Sequence, residues 1–109
     1  MRNAPLPTPP ATASNAAWPL ILDAELCEPV EPGTCVERLA DLTRRLTHAS
    51  GGRAVSAELH CSGRCLRVRV TADANDLSGA VELVADRLRA CARRAGFGSL
   101  VVVGARFAA

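Results

Sequence analysis

The densest cluster of reactive side chains is His60-Cys61-Ser62-Gly63-Arg64-Cys65, in which two thiols and an imidazole fall within six residues. A C-x3-C pair preceded by histidine is the sort of set that could ligate a metal or close a disulfide. Structural zinc needs four convergent ligands, however, and the chain has no second Cys/His pair of comparable spacing. Plain thiols at a hairpin tip, with no metal site, are therefore expected. Cys35 and Cys91 fall at helix positions turned toward the core and Cys27 at a strand end, where packing accounts for them. His48 near a helix end and His60 near a hairpin end have equally ordinary explanations. There is no G-x-S-x-G, phosphate loop or dinucleotide fingerprint, so no catalytic residue and no cofactor are expected.

The composition bounds the rest. The chain has 109 residues, 49% of them apolar, with 13 arginines, no lysine, 11 acids and a formal charge of +2. That balance is too weak to imply nucleic acid or an anionic membrane as a partner. The longest uninterrupted apolar run, Leu100 to Val103, is far short of the ~20 residues needed to cross a bilayer. Five cysteines without a secretory segment point to reduced thiols and a cytoplasmic location. Arginine in place of lysine and 20 alanines fit a GC-rich, bacterial genome. Residues 1–17, with Pro5, Pro7, Pro9 and Pro10 among small polar residues, read as a disordered tail, leaving 18–109 as one domain.

The elements that must position these residues follow from periodicity. Leu20, Leu22, Ala24 and Leu26 alternate with Ile21, Asp23 and Glu25, which predicts a half-buried strand. Thr34-Cys35-Val36-Glu37 reads as a capping box opening a helix whose stripe is Val36, Leu39, Leu42, Leu46 and Ala49, stopped by Gly51-Gly52. Val55, Ala57, Leu59 and Cys61 then share one face, and Leu66, Val68 and Val70 the matching face of the next strand. Facing positions must sum to an odd number, so an even loop, either Ser62-Gly63 or four residues centred on it, sets Leu59 opposite Leu66 and His60 opposite Cys65. Cys61 then points to the core and Cys65 to the open face unless the longer turn releases them.

A second helix, capped by Asp76 or begun slightly earlier at Asp73, carries Leu77, Ala80, Val81, Val84, Leu88, Cys91 and Ala95, with Gly96 as its left-handed stop and Phe97 folding back. Leu100 to Phe107 closes the chain as a strand. The order βαββαβ predicts an α+β, ferredoxin-like fold, a four-stranded antiparallel sheet in the order 4-1-3-2 with two helices on one face. The open face would carry Asp23 and Glu25 paired with Arg67 and Arg69, together with Val102 and Arg106. It has no stacking aromatics, so single-stranded nucleic acid is not an expected partner. The apolar last strand lies at an edge, and its Leu100, Val102 and Gly104 are the expected interface.

Glu31-Pro32-Gly33-Thr34, after a strand and opening a helix that contains Leu39-Ala40-Asp41-Leu42, resembles the strand–loop–helix start of ACT-type regulatory domains. Such domains share this element order, commonly dimerise, and bind amino acids or other small effectors near that loop. The resemblance implies Glu31, Gly33 and Thr34 as contacts to a small carboxylate or amino-acid effector, held by the helix N-terminus. The expected function is a stand-alone binding and regulatory module acting as a homodimer or with a protein partner. The alternatives are a small enzyme of the dimeric α/β-barrel kind and a structural or assembly subunit.

Overall fold

The computed structural model describes residues 16–108. In chain order these form β1 (Ala16–Leu26), α1 (Pro32–Ala49), β2 (Ser56–His60), β3 (Cys65–Ala74), α2 (Leu77–Arg94) and β4 (Leu100–Phe107). The strands make one antiparallel sheet ordered β2-β3-β1-β4, and both helices pack on one side of it, the ferredoxin-like arrangement. β1 begins two residues before the expected domain start, because Ala16 and Ala17 pair with Ala74 and Asp73 at the end of β3. The remainder of the expected tail, 1–15, lies outside the described residues.

The core is built where three apolar periodicities meet. Leu20, Leu22, Ala24 and Leu26 of β1 and Leu66, Val68, Val70 and Ala72 of β3 are each at most 3% exposed. Against this floor pack Leu42 and Leu46 of α1 and Ala80, Val84 and Leu88 of α2. The helix stripes run slightly off the expected lines. Val36 is 78% exposed, because it lies about 120° around the helix from Leu42 and the buried stripe is entered through Cys35 and Leu39 instead. Leu77 is likewise 42% exposed in the first turn of α2, and the stripe continues through Ala92 to Ala95.

The two helix starts differ in chemistry. Asp76 caps α2 as expected, its carboxylate accepting from the Gly79 N–H at 2.7 Å. The capping box at Thr34 does not form. Pro32, with its ring already holding a helical φ, takes the first helical position, so the N-cap moves back to Glu31 and Thr34 lies inside the first turn. There the Thr34 hydroxyl donates to the Glu31 carbonyl at 3.1 Å. At the other end of α2, Gly96 has φ +91, and the Phe97 N–H donates back to Ala92 O while its ring is buried, as expected.

The β2–β3 register is the expected one, with Leu59 opposite Leu66, Glu58 opposite Arg67 and His60 opposite Cys65 across a four-residue turn. β4 departs from expectation. Ala24 pairs with Val102 but Asp23 pairs with Gly104, so Val103 is an extra residue, a β-bulge. Since strand faces alternate, this insertion reverses the parity of β4. Leu100 and Val102 face the core, Ala105 continues that side opposite Leu22, and Val101 and Val103 turn outward, 56% and 60% exposed. The assignment of Val102 to the open face is therefore corrected; of the expected interface residues Leu100 and Val102 face the core side of this edge strand and Gly104 the open side.

Leu88, fully buried, should lose roughly 2–5 kcal/mol on replacement by alanine, whereas Val36→Ala should change stability by under about 1 kcal/mol. Urea unfolding of the two variants reads both values.

Candidate functional site

Four places in the fold could carry function, and their geometry separates them. The first is the loop that opens α1. Glu31 and Gly33 are exposed, Thr34 is half-buried, and a Cβ at Gly33 would meet open space. Pro32 has no N–H, and the Thr34 N–H already donates to Glu31 O at 3.0 Å. The three residues are adjacent at the helix start, but the cavities of the fold described below do not include them.

The second place is the open face of the sheet. Asp23, at the centre of β1, is flanked by Arg67 on β3 and by β4 on the other side. Its two carboxylate oxygens each accept one guanidinium N–H, from Arg67 Nε at 2.8 Å and Arg106 Nη1 at 2.9 Å. The Arg67 hydrogen bond above all, joined by Arg106 and opposed by partial burial, holds the Asp23 carboxyl below the usual carboxylate range. The same contact raises Arg67. The expected Glu25–Arg69 pair does not form in register, since Glu25 stands opposite Cys65 and Arg69 opposite Ile21. Ile21 is nonetheless only 7% exposed on this face, and its cross-strand neighbours Arg69 and Arg106 bring methylene stems that suit that cover.

The third place was not foreseen. Between the C-terminal halves of α1 and α2 lies a groove of about 400 Å3 lined by Arg44, Arg45, His48, Ala49, Ala90, Cys91 and Arg94. Arg44 and Arg45 share one carboxylate, Asp41, with Arg45 Nε at 2.9 Å from it. Arg45 first, then Arg44, lowers the Asp41 carboxyl below its ordinary value. Arg94, from the other helix, makes no ion pair among the described residues. Three guanidiniums and one carboxylate leave the groove cationic over a floor of Ala49, Ala90 and half-buried Cys91, whose thiol burial pushes up. The last carbonyls of α1 are taken by Ser50, Gly51 and Gly52 N–H groups, which reduces the negative partial charge a helix end would otherwise present there. In the sequence Arg44, Arg45 and His48 read only as helix-end charges; the approach of α2 that adds Arg94 is a tertiary fact.

The fourth place is the hairpin tip. Cys61 is not on the core face. It belongs to the turn, with φ +55, and its side chain is exposed on the same side as Cys65. Both thiols line a cavity of about 270 Å3 with His60, Glu25, Arg67 and Val103. Among the described residues no group of three or more His, Cys, Asp or Glu side chains is gathered closely enough to hold a metal ion. Nor, among them, is any helix long and apolar enough to cross a membrane.

Because the folded-state pKa of Asp23 is depressed, its ion pairs stabilise fully above the unfolded value of about 3.9 and are lost as pH falls through the lower folded value. Asp23→Asn should therefore unfold at lower urea than the wild type at pH 7. The two should converge once the pH falls below the folded value, where protonation removes the charge from the wild type as well; urea midpoints from pH 7 downward test it.

Compared with known proteins, the chain matches no family model, no curated protein and no solved structure.

Proposed function

We propose that the chain is a binding and regulatory module with no catalytic step of its own, and that it works as a homodimer joined through β4 and the open face beside it. One observation carries this reading: β4 is an edge strand whose Val101 and Val103 project outward more than half exposed. An apolar, unpaired edge favours pairing with another chain. A second copy suits this surface because the open face bears three carboxylates, Asp23, Glu25 and Glu58, and three guanidiniums, Arg67, Arg69 and Arg106. A face of balanced charge can meet its own copy without net repulsion, and a two-fold contact is by nature self-complementary. The ion-paired Asp23 at its centre is also why an apolar catalytic chamber between two such faces is not the reading favoured here.

For the ligand, the cationic groove supports a small organic anion better than the Glu31-Gly33-Thr34 loop does. Its volume lies at the small-molecule end of the usual range, and it combines an apolar floor with guanidiniums suited to a carboxylate.

Sedimentation equilibrium should find a dimer at high micromolar concentration and a shift to monomer in Val101→Lys/Val103→Lys, with the thermal transition retained. A wild type that is monomeric there would overturn the dimer. In calorimetric titration with benzoate, Arg94→Gln should weaken binding by about tenfold or more, in line with loss of one charge-assisted contact. Equal affinity in the two proteins would remove the groove as the ligand site.

A further inference from the structure

We propose that Cys61 and Cys65 form a redox-active dithiol that exchanges with small disulfides of the glutathione class and closes into an intrachain disulfide at the tip of the β2–β3 hairpin. The placement comes from the turn. His60 and Cys65 are directly opposed, and antiparallel partners stand about 4.5–5.5 Å apart at Cα. Cys61 is one step further into a turn closed by the Arg64 N–H, which donates to both His60 O and Cys61 O. The two thiols are in side-chain contact across this turn, and a disulfide closes where the Cα atoms of its cysteines stand about 4.4–6.8 Å apart.

The conformation of the turn is the second observation. Cys61 and Ser62, with φ +55 and +58, are the two non-glycine residues of the described chain in the left-handed region, adjacent to one another. Such backbone is disfavoured for L side chains and persists where surrounding structure imposes it. Here it turns Cys61 away from the inward row of Ala57 and Leu59 and brings its thiol to the cavity that Cys65 already lines. The turn is fixed from outside. Val30 N–H donates to Gly63 O at 3.0 Å, Leu26 N–H to Arg64 O at 2.8 Å, and a Cβ at Gly63 would stand 2.6 Å from Val30 O. Contact with the Cys61 sulfur, followed by burial, raises the Cys65 thiol, so Cys65 rests protonated beside the more exposed Cys61.

The exchange balances in two steps. The Cys61 thiolate attacks one sulfur of the small disulfide, whose S–S bond breaks and whose released thiolate takes up the proton that Cys61 gave to solvent. Cys65 then loses its proton and attacks the Cys61 sulfur of the mixed disulfide, expelling the second small thiol. Two cysteine thiols are oxidised and one small disulfide is reduced to two thiols.

The full-length reduced chain, equilibrated in glutathione buffers, quenched in acid, alkylated and weighed intact, tests this directly. In about a tenfold excess of oxidised over reduced glutathione, most chains should be two hydrogens lighter, with three cysteines left to alkylate. Cleavage after arginine separates 54–64 from 65–67, so the bridge appears as those two peptides joined, and its yield should not depend on protein concentration. Cys61→Ser should abolish the joined peptide while Cys27→Ser retains it. Five alkylated cysteines throughout, glutathione left on Cys61 without ring closure, or bridges only between chains would each overturn the proposal. The readout is covalent and independent of whether the chain dimerises through β4.

Discussion

Everything in this molecule depends on the burial of one row of side chains on the central strand. Leu20, Leu22, Ala24 and Leu26 are each at most 2% exposed, and β1 that carries them is paired along both sides, with β3 and with β4. A slip of one residue between β1 and β3 would turn the charged row of one of them, Asp23 and Glu25 or Arg67 and Arg69, toward the helices, where unpaired charges are very costly. The register is therefore set by the core, and the opposite face follows from it. Asp23 receives Arg67 and Arg106 because the two strands beside β1 are locked at those positions, not because the ion pairs hold the strands. Partly exposed pairs of this kind contribute little to stability on their own.

The bulge at Val103 has the largest consequence for function. Without it β4 would keep one parity from Leu100 to Phe107, and a single set of valines would face out. With it, Leu100 and Val102 meet the core before the bulge, while Ala105 after it stands opposite Leu22 on that side but is exposed. The extra residue leaves Val101 and Val103 outside, beside the balanced charges of the open face. Gly104, directly after the bulge and opposite Asp23, has open space where a side chain would be. The exposed valines thus end at the bulge, and the open space at Gly104 begins directly after it.

Two other features depend on contacts between distant parts of the chain. The cationic groove exists because α1 and α2 converge, an arrangement held in part by Arg38 of α1 donating to Gly96 O at 2.8 Å just beyond α2. The thiol pair exists in its present form because the end of β1 and the segment that follows it pin the hairpin turn through Leu26 and Val30. In each case ordinary surface residues acquire a shared environment only when separate elements meet.

The sequence by itself determined the element order, the strand order, the β2–β3 register and the Gly96 stop, and narrowed the start of α2 to Asp73 or Asp76. These rest on periods of two and 3.6 residues and on short-range chemistry, both of which are local and readable. It did not determine where α1 starts, because a capping box at Thr34 and a proline at the first helical position compete over a few residues, and the chain's path out of β1 decides for Pro32. Nor did it disclose the face of Val102, since a bulge leaves no mark in an apolar run where every residue can serve on either side. The release of Cys61 from the core face and the meeting of Arg94 with Arg44 and Arg45 were decided by tertiary structure alone. Both depend on positions separated along the chain whose proximity no local pattern records.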